Sequence, residues 1–257
     1  MKVTFLGTGT SVGVPAVTCD CDVCTSDDPR DNRLRPSVLI EWDGASVLID
    51  TSTDLRAQAL RHPIQRIDAV LYTHHHADHI LGIDDLRIYN WRRGGPIPIY
   101  GSAATLDRIA RTFWYVFEEK DTPHTRPTLE PMEISGPFSL LGRTIHPVPV
   151  LHGDLEILGY RVGRFAYLTD VSAIPESSAR LLEDLDVLVL SALRTRPHPT
   201  HLSLDQAVAE AEKIGAARSL FTHLSHDIPH GSVSATLPEG VELAYDGLQL
   251  HLEEGEA

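Results

Sequence analysis

The chain has 257 residues, of which 42% are hydrophobic and 23% are charged, and its formal net charge is −14. That length suits one large globular domain or two small ones. The excess of acidic residues argues against a protein that grips long nucleic acid, whose binding face is usually basic. No signal-peptide pattern follows Met1, and no window reaches the roughly 18 apolar residues of a membrane span. We therefore expect a cytoplasmic protein without a membrane partner.

Apolar runs and turn residues predict an alternation of strands and helices. In chain order we predict a strand at 2–6, a glycine-rich loop at 7–13, strands at 37–42 and 46–49, a helix at 53–62, strands at 69–72 and 97–100, a helix at 102–117, strands at 144–150, 157–162 and 165–169, a helix at 176–182, a strand at 187–191, a helix at 204–214, and strands at 219–222 and 248–252. Asp43-Gly44 predicts a tight hairpin between the second and third strands. The glycine-rich loop lacks the Gly-Lys-Ser/Thr sequence of a P-loop.

The order of these elements predicts the fold class. Strands dominate the early part of each half of the chain, and helices follow them. Two such halves, stacked sheet to sheet, give an α/β fold that is a four-layer αββα sandwich. We find no internal repeat and no clear linker, so we predict a single domain over residues 1–257.

Histidines are concentrated directly after the strand predicted at 69–72, where residues 73–79 read Thr-His-His-His-Ala-Asp-His. The pattern contains four candidate metal ligands, which are His74, His76, Asp78 and His79. Neutral imidazole and carboxylate are ligands that first-row divalent metals favour. A loop that leaves a strand can point alternate side chains to one side, so the first two ligands can meet one ion and the last two a second. His75 should point away.

This pattern resembles the metal-binding motif of the metallo-β-lactamase superfamily. Three later residues match the order of that family, each after an apolar strand: His152, Asp170 and His223. The resemblance implies a dinuclear site in which His74, His76 and His152 hold one ion, Asp78, His79 and His223 hold the other, and Asp170 bridges both. It implies two divalent ions, zinc or manganese, and a hydroxide that they generate at neutral pH.

The only three cysteines of the chain, Cys19, Cys21 and Cys24, lie within six residues. An odd, clustered set is typical of metal binding rather than of disulfides. Three thiolates are one ligand short of a closed tetrahedral zinc site, and His226 can complete it. Such a closed site is structural, because it leaves no coordination position for chemistry. The cysteine triad with a histidine three residues after the last catalytic ligand resembles the PhnP type of the superfamily, and PQQ-biosynthesis relatives share a similar triad.

His201 precedes the helix predicted at 204–214 and resembles a family histidine that contacts phosphate or protonates the departing alkoxide. Imidazole suits that role because its pKa lies near neutral pH. We predict Asp78 and His201 as catalytic residues. Arg194 and Arg196 lie just upstream as weaker candidates for a phosphate contact. The carboxylates that we interpret as helix caps or as partners of the ligating histidines are Asp54, Asp84 and Asp85.

The leading functional hypothesis is a metal-dependent phosphodiesterase that opens a cyclic or small phosphodiester by attack of a hydroxide bound to two metals. The PhnP resemblance implies this chemistry, a small phosphorylated substrate and a homodimer. One alternative is a tRNase Z-like RNA 3′-processing endonuclease, although no long Gly-Lys-rich arm lies between His79 and His152. The other is a metal-binding relative of the PQQ-biosynthesis type.

Overall fold

The computed structural model describes residues 1–118 and 126–253, and their strands form two seven-stranded sheets. The first sheet contains β1 (Lys2–Gly7), β2 (Ser37–Trp42), β3 (Ala45–Ile49), β4 (Ala69–Leu71), β5 (Ile97–Gly101), β6 (Leu129–Glu133) and β14 (Gln249–His251). The second contains β7 (Phe138–Leu140), β8 (Arg143–His152), β9 (Leu155–Val162), β10 (Phe165–Leu168), β11 (Val187–Ser191), β12 (Arg218–Thr222) and β13 (Val241–Leu243).

The two sheets have corresponding topologies. The strand orders are β14-β1-β2-β3-β4-β5-β6 and β13-β12-β11-β10-β9-β8-β7. Strands β3 to β6 pair in parallel, and so do strands β10 to β13. In parallel strands the carboxyl ends lie at one edge of the sheet, which is where such folds place ligands.

Helices lie outside the sheets. They are α1 (Leu55–Arg61), α2 (Ala77–Ile80), α3 (Arg87–Arg93), α4 (Ala103–Thr112), α5 (Trp114–Phe117), α6 (Glu176–Ala179), α7 (Leu204–Ile214) and α8 (His230–Ser234), with short 3-10 turns at Pro29–Asp31, Leu81–Leu86 and Arg180–Leu182. Among the helices of the described residues, none combines the length and the apolar composition needed to cross a membrane.

Three apolar clusters define the layers. The central cluster joins the inner faces of the two sheets, for example Ile40 of β2 and Val189 of β11. A second cluster packs α4 and its neighbours against the first sheet, and a third packs α7 against the second sheet. Burial of apolar faces on both sides of each sheet stabilises the stack. The four-layer αββα sandwich predicted from the sequence is confirmed.

Local sequence signals explain the best-predicted elements. The hairpin between β2 and β3 turns at Asp43 and Gly44, whose φ angles of 47° and 80° are those of a two-residue turn that favours glycine. Helix α7 begins with a capping box, in which Ser203 and Gln206 each bond to the other's backbone N–H. The helix ends before Gly215, whose φ is 72°.

Other predictions were wrong in detail. The helix expected at 102–117 is interrupted at Phe113, where φ is −111° and ψ is 43°, and it continues as the separate turn α5. Strands β6, β7 and β13 were not predicted. β6 has the sequence Leu-Glu-Pro-Met-Glu and is largely exposed at the sheet edge, so it shows no buried alternation. The other two are only three residues long.

The glycine-rich loop after β1 is shaped by close backbone packing. A Cβ atom on Gly7 would lie 2.0 Å from the Arg35 carbonyl oxygen, and one on Gly9 would lie 2.7 Å from the Arg33 carbonyl oxygen. Only glycine permits this approach. The loop therefore packs against residues 33–35, and it does not have to bind phosphate to explain its glycines.

Candidate metal centres

The predicted histidine motif lies where β4 leaves the first sheet. The chain passes from Leu71 through a short loop into α2, whose first turn carries Asp78 and His79. His76 is the residue that precedes this helix, in an extended conformation. The change from extended to helical backbone separates the motif's side chains into two groups.

The first group consists of His74, His76 and His152, whose ligand atoms all lie within 4.8 Å of one another. The ring centroid of His74 is 4.6 Å from that of His76 and 5.5 Å from that of His152. His152 is the last residue of β8, so the second sheet supplies the third member. His74 and His152 are buried while His76 is exposed, so this group opens to solvent beside His76.

The second group consists of Asp78, His79, Asp170 and His223, all of which are buried. His79 Nε2 lies 3.3 Å from Asp78 Oδ2 and 3.2 Å from Asp170 Oδ2, and His223 Nε2 lies 3.1 Å from Asp170 Oδ1. Two ligands of a tetrahedral zinc ion with ordinary bond lengths are about 3.4 Å apart. The spacing therefore suits a divalent ion.

Asp170 lies between the two groups. Its ligand atom is within 4.8 Å of those of His152 and His201 as well as of its own group. A carboxylate has two oxygens and can therefore reach two ions at once. This is the position that the family resemblance implies for a bridging ligand.

Three residues of the site have strained backbone conformations. Asp50 and His223 directly follow β3 and β12, and Asp170 is the second residue after β10; their φ angles are 60°, 58° and 57°. This left-handed region is unfavourable for residues other than glycine. Such conformations persist where the surrounding structure enforces them, and they cluster at functional sites.

Hydrogen bonds to Asp50 and Thr73 determine which nitrogen carries the proton in two of the imidazoles. The Thr73 hydroxyl donates to Asp50 Oδ2 at 2.8 Å, so its oxygen is left to accept from His74 Nδ1 at 3.0 Å. Asp50 Oδ2 also accepts from His79 Nδ1 at 2.7 Å. With the proton on Nδ1, each ring in its neutral form presents the lone pair of Nε2.

The Nε2 atoms of His74, His79 and His223 are buried and have no hydrogen-bond partner within the described residues. A buried polar atom without a partner is rare, because it forfeits its hydration. A bound cation supplies the missing partner for each of them. The donor set, its spacing and these orphaned nitrogens therefore fit a dinuclear site for divalent ions.

Opposite charges within the second group shift the pKa values of its members. Burial opposes the charged form of Asp170, but the imidazoles of His223 and His79 hold the pKa of this carboxyl well below its ordinary range. Burial likewise opposes the charged form of His79, while the carboxylates of Asp78 and Asp170 raise its pKa well above the usual value. Without metal, the group stores positive charge as protons. Metal binding must displace these protons.

His201 lies at the border of both groups. Its ring stacks on His223 with centroids 5.0 Å apart and lies 4.6 Å from the ring of His152. Its Nδ1 is 3.8 Å from Asp170 Oδ1. Burial, followed by the neighbouring His223, lowers the pKa of His201 to about 3. The metal-free ring is therefore neutral at neutral pH and carries one N–H donor.

The cysteine triad and His226 also meet. His226 Nδ1 lies 3.2, 3.6 and 3.3 Å from the sulfurs of Cys19, Cys21 and Cys24. A tetrahedral zinc ion places nitrogen and sulfur ligands about 3.5 Å apart. Burial raises the pKa of the Cys24 thiol to about 11, so zinc binding must release its proton. The four residues fit a closed structural zinc site.

Sequence reasoning missed Arg33, which ties the N-terminal loops to the loop that carries His223 and His226. Its guanidinium is buried, with 1% of the residue exposed. Nη1 donates to the Ser225 carbonyl at 2.9 Å, and Nη2 donates to the Ile228 carbonyl at 2.6 Å and to Asp31 at 2.8 Å. Asp31 is a local partner, but the two carbonyls that Arg33 binds belong to residues 192 and 195 positions later, so no local pattern marks this contact.

From the sequence, Asp54 and Asp84 are interpreted as helix caps or as partners of the ligating histidines. Asp54 stands at the N-cap position of α1, and within the described residues neither carboxylate bonds to a ligand histidine. Asp54 binds the guanidinium and backbone N–H of Arg35, and Asp84 binds Arg87 and the Tyr115 hydroxyl. Asp50 takes the role instead. Its position at the end of β3, in register with β4, was the available signal.

The remaining side chains considered from sequence lie outside both groups. His75 belongs to neither. Arg196 forms a 3.2 Å ion pair with Asp227, and Arg194 donates to the carbonyls of Arg196 and Pro197. Both arginines belong to the loop that also carries His201.

Comparison with known proteins identifies the family. Residues 45–224 match the model of the β-lactamase superfamily domain. A solved structure described as a new diphosphatase from the PhnP family is 49% identical, with a TM-score of 0.92 and coverage of 97% of this chain and 96% of that chain.

Two curated relatives match in sequence. An octanoyltransferase of Porphyromonas gingivalis is 40% identical over 99% of this chain and 52% of its own length. Coenzyme PQQ synthesis protein B of Methylobacterium radiotolerans is 32% identical over 42% of this chain and 40% of its own length. The chain thus spans about half the length, or less, of these two relatives.

The family model covers most of the chain, and the 49% identical PhnP-family structure matches nearly all of it. The resemblance first suggested by the histidine motif and the cysteine triad is confirmed. The chain belongs to the metallo-β-lactamase superfamily of metal-dependent hydrolases, within its PhnP family.

Proposed function

We propose that this hydrolase cleaves a phosphorus–oxygen bond in a small phosphorylated substrate, with cyclic or small phosphodiesters as the first substrate class. The observation that carries the proposal is the position of Asp170 between two ligand groups with His201 at their border. Two divalent ions in these groups, zinc or manganese, would acidify a water and withdraw charge from phosphate oxygens. The ligands would be the seven His and Asp residues of the two groups, with a structural zinc on the cysteine triad and His226.

The protein's own residues would orient the reaction. The ring of His201 stacks on that of His223, and its Nδ1 lies 3.8 Å from Asp170 Oδ1. An N–H of this ring would therefore lie close to the oxygen that leaves phosphorus. An anionic phosphate beside this ring raises its pKa and favours the protonated form. In the overall step the oxygen of water bonds to phosphorus and one proton of that water passes to solvent. The bond from phosphorus to the leaving oxygen breaks, and His201 gives that oxygen a proton and regains one from solvent. Asp78, the other predicted catalytic residue, would act as a ligand in the second group.

A diphosphate is the second candidate substrate. The 49% identical PhnP-family structure is that of a diphosphatase. The bond that is broken in a diphosphate is also a phosphorus–oxygen bond, so the same arrangement of Asp170 and His201 would serve this substrate. The half-length match to an octanoyltransferase brings no acyl-transfer residue into either ligand group, so acyl transfer is not proposed.

The proposal is tested with purified protein that has been stripped by a chelator and reloaded with Mn²⁺ or Zn²⁺. The substrates are bis(p-nitrophenyl) phosphate, a ribose cyclic phosphate, a dinucleoside diphosphate and an unprocessed tRNA. We expect turnover of the small substrates that disappears with chelation and returns with metal. D170N should lower the activity by more than the roughly 10–100-fold that is typical when a hydrogen-bond partner of a metal ligand is removed.

D186N is the matched control, since Asp186 pairs with Arg164 at the opposite end of β11 and is half exposed. Its activity should equal that of the wild type. Protein with two catalytic ions per chain that turns over none of the small substrates would refute the proposal. Cleavage of tRNA alone would support the tRNase Z-like alternative. A homodimer, expected from the family resemblance, is tested by light scattering of the same preparation.

A further inference from the structure

The segment between β11 and α7 forms a closed loop on the ligand groups. Backbone bonds join its two ends, from Leu193 N–H to Leu202 O at 3.0 Å and from Leu204 N–H to Arg194 O at 2.8 Å. Thr200 packs so closely that a Cβ on Gly153 would lie 2.8 Å from its Cγ2. The loop therefore packs directly against the end of β8 that carries His152.

The peptide groups of Thr200 assign the tautomers of two histidines. The Thr200 carbonyl accepts from His152 Nδ1 at 2.7 Å, so the neutral His152 ring keeps its lone pair on Nε2. The Thr200 N–H lies 3.3 Å from His198 Nδ1. A backbone N–H can only donate, so Nδ1 of His198 accepts and its proton is on Nε2. His198 is thus a hydrogen-bond donor at Nε2.

His198 is the imidazole that neighbours His201 on this loop. The ring centroid of His201 lies 5.0 Å from that of His223 and 5.1 Å from that of His198. His198 is half-buried. A group that is attached to a phosphoryl at the metal ligands and passes His201 on this side would meet His198.

Arg194 adds a positive charge to the same loop, four residues before His198. Its Nε and Nη2 donate to the carbonyls of Arg196 and Pro197 at 3.2 and 2.8 Å, which holds the guanidinium in place. Burial and then the charge of Arg194 lower the pKa of His198, so its ring stays neutral with the Nε2 proton in place. A guanidinium and an imidazole N–H on one short loop form a donor set that suits phosphate oxygens.

We propose that His198 and Arg194 form an anion subsite that takes the second phosphoryl group of a diphosphate substrate. The inference rests on the proposed function, which places the reacting phosphoryl group at the metal ligands. The two phosphoryl groups of a diphosphate share one oxygen, so the second lies immediately beyond the first. A simple diester has carbon at that position and offers no charge to the subsite. His198 and Arg194 therefore favour diphosphates over diesters.

The kinetic test measures kcat/KM of the metal-loaded protein for a dinucleoside diphosphate and for bis(p-nitrophenyl) phosphate. H198A and R194A should each lower the diphosphate value roughly tenfold, mainly through KM, because each removes a bond to a charged group. The diester value should change less than about twofold. H198Q keeps an N–H donor and should recover part of the loss. R196A is the matched control, because Arg196 faces Asp227 and is exposed.

A binding test separates this inference from the proposed function. Methylenediphosphonate and inorganic phosphate are titrated calorimetrically into metal-loaded protein of equal metal content. The wild type should bind methylenediphosphonate more tightly than inorganic phosphate. The ratio of these two affinities should fall roughly tenfold in H198A and R194A and should keep its wild-type value in R196A. An unchanged preference in both variants, or equal losses with diphosphate and diester, would overturn the subsite. Selective loss of diphosphonate binding without turnover of any substrate would instead overturn the proposed function alone.

Discussion

Replacing Asp50 with asparagine tests whether a carboxylate outside the ligand groups sets their metal affinity. Asp50 is fully buried and accepts from Thr73 N–H, from the Thr73 hydroxyl and from His79 Nδ1, at 2.8, 2.8 and 2.7 Å. Asparagine keeps the size but turns one oxygen into an NH₂ group. If its oxygen stays on the Thr73 N–H, the amide NH₂ faces His79. That contact favours the tautomer with the proton on Nε2, which has no lone pair for a metal.

The expected effect is a weaker second ligand group. Loss of the outer partner of a ligating histidine typically lowers metal affinity by roughly 10–100-fold. This range corresponds to about 1.4 to 2.7 kcal/mol of binding free energy. Asp50 bonds directly to His79 of the second group but reaches His74 of the first group only through Thr73. The ion of the second group should therefore be affected more strongly than the other.

The assay is calorimetric titration of metal-free D50N and wild-type protein with Mn²⁺ in the presence of a competing chelator. D54N is the matched control, because Asp54 pairs with Arg35 and contacts no ligand histidine in the described structure. Its affinities should match those of the wild type. If both Mn²⁺ affinities of D50N stay within twofold of the wild type, Asp50 does not act through His79.

Three further changes test other parts of the structure. C24S should lower the zinc content by about one ion per chain while both catalytic sites still bind Mn²⁺, as elemental analysis would show; an unchanged zinc content would contradict the cysteine site. R33M should lower the free energy of unfolding, measured in urea, by about 3–5 kcal/mol, because it leaves Asp31 buried without its cation. R30M is the control, because it alters an exposed pair, and it should change this free energy by less than about 1 kcal/mol. Burial, followed by Arg30 and Arg33, lowers the pKa of His230 from 6.5 to about 4. The unfolded chain therefore binds this proton at higher pH than the folded one, so stability falls as the pH decreases from about 6.5 to about 4, by up to about 3 kcal/mol. H230Q should reduce that slope in urea unfolding, and an unchanged slope would contradict the assignment.

Much of the fold was readable from local patterns. Apolar runs located the buried strands within one or two residues, and Asp43-Gly44 and Ser203 marked a turn and a helix start because their side chains or φ angles act on adjacent backbone. The exposed edge strand β6 was missed, since its pairing is decided by β5 rather than by its own alternation. The break at Phe113 was missed for a related reason. Its ring is buried with the apolar face of the first sheet, so packing decides where that helix ends.

The sequence by itself determined the ligand types, because His-x-His-x-Asp-His and Cys-x-Cys-x-x-Cys place their donors within a few residues of one another. Only the tertiary structure decided which nitrogen of each ring is free, because the groups that fix it come from other strands and loops. Asp50 reaches His79 across 29 residues, and Thr200 reaches His152 across 48. Hydrogen bonds of this kind depend on where the ends of neighbouring strands meet, and no local pattern in the chain records that meeting.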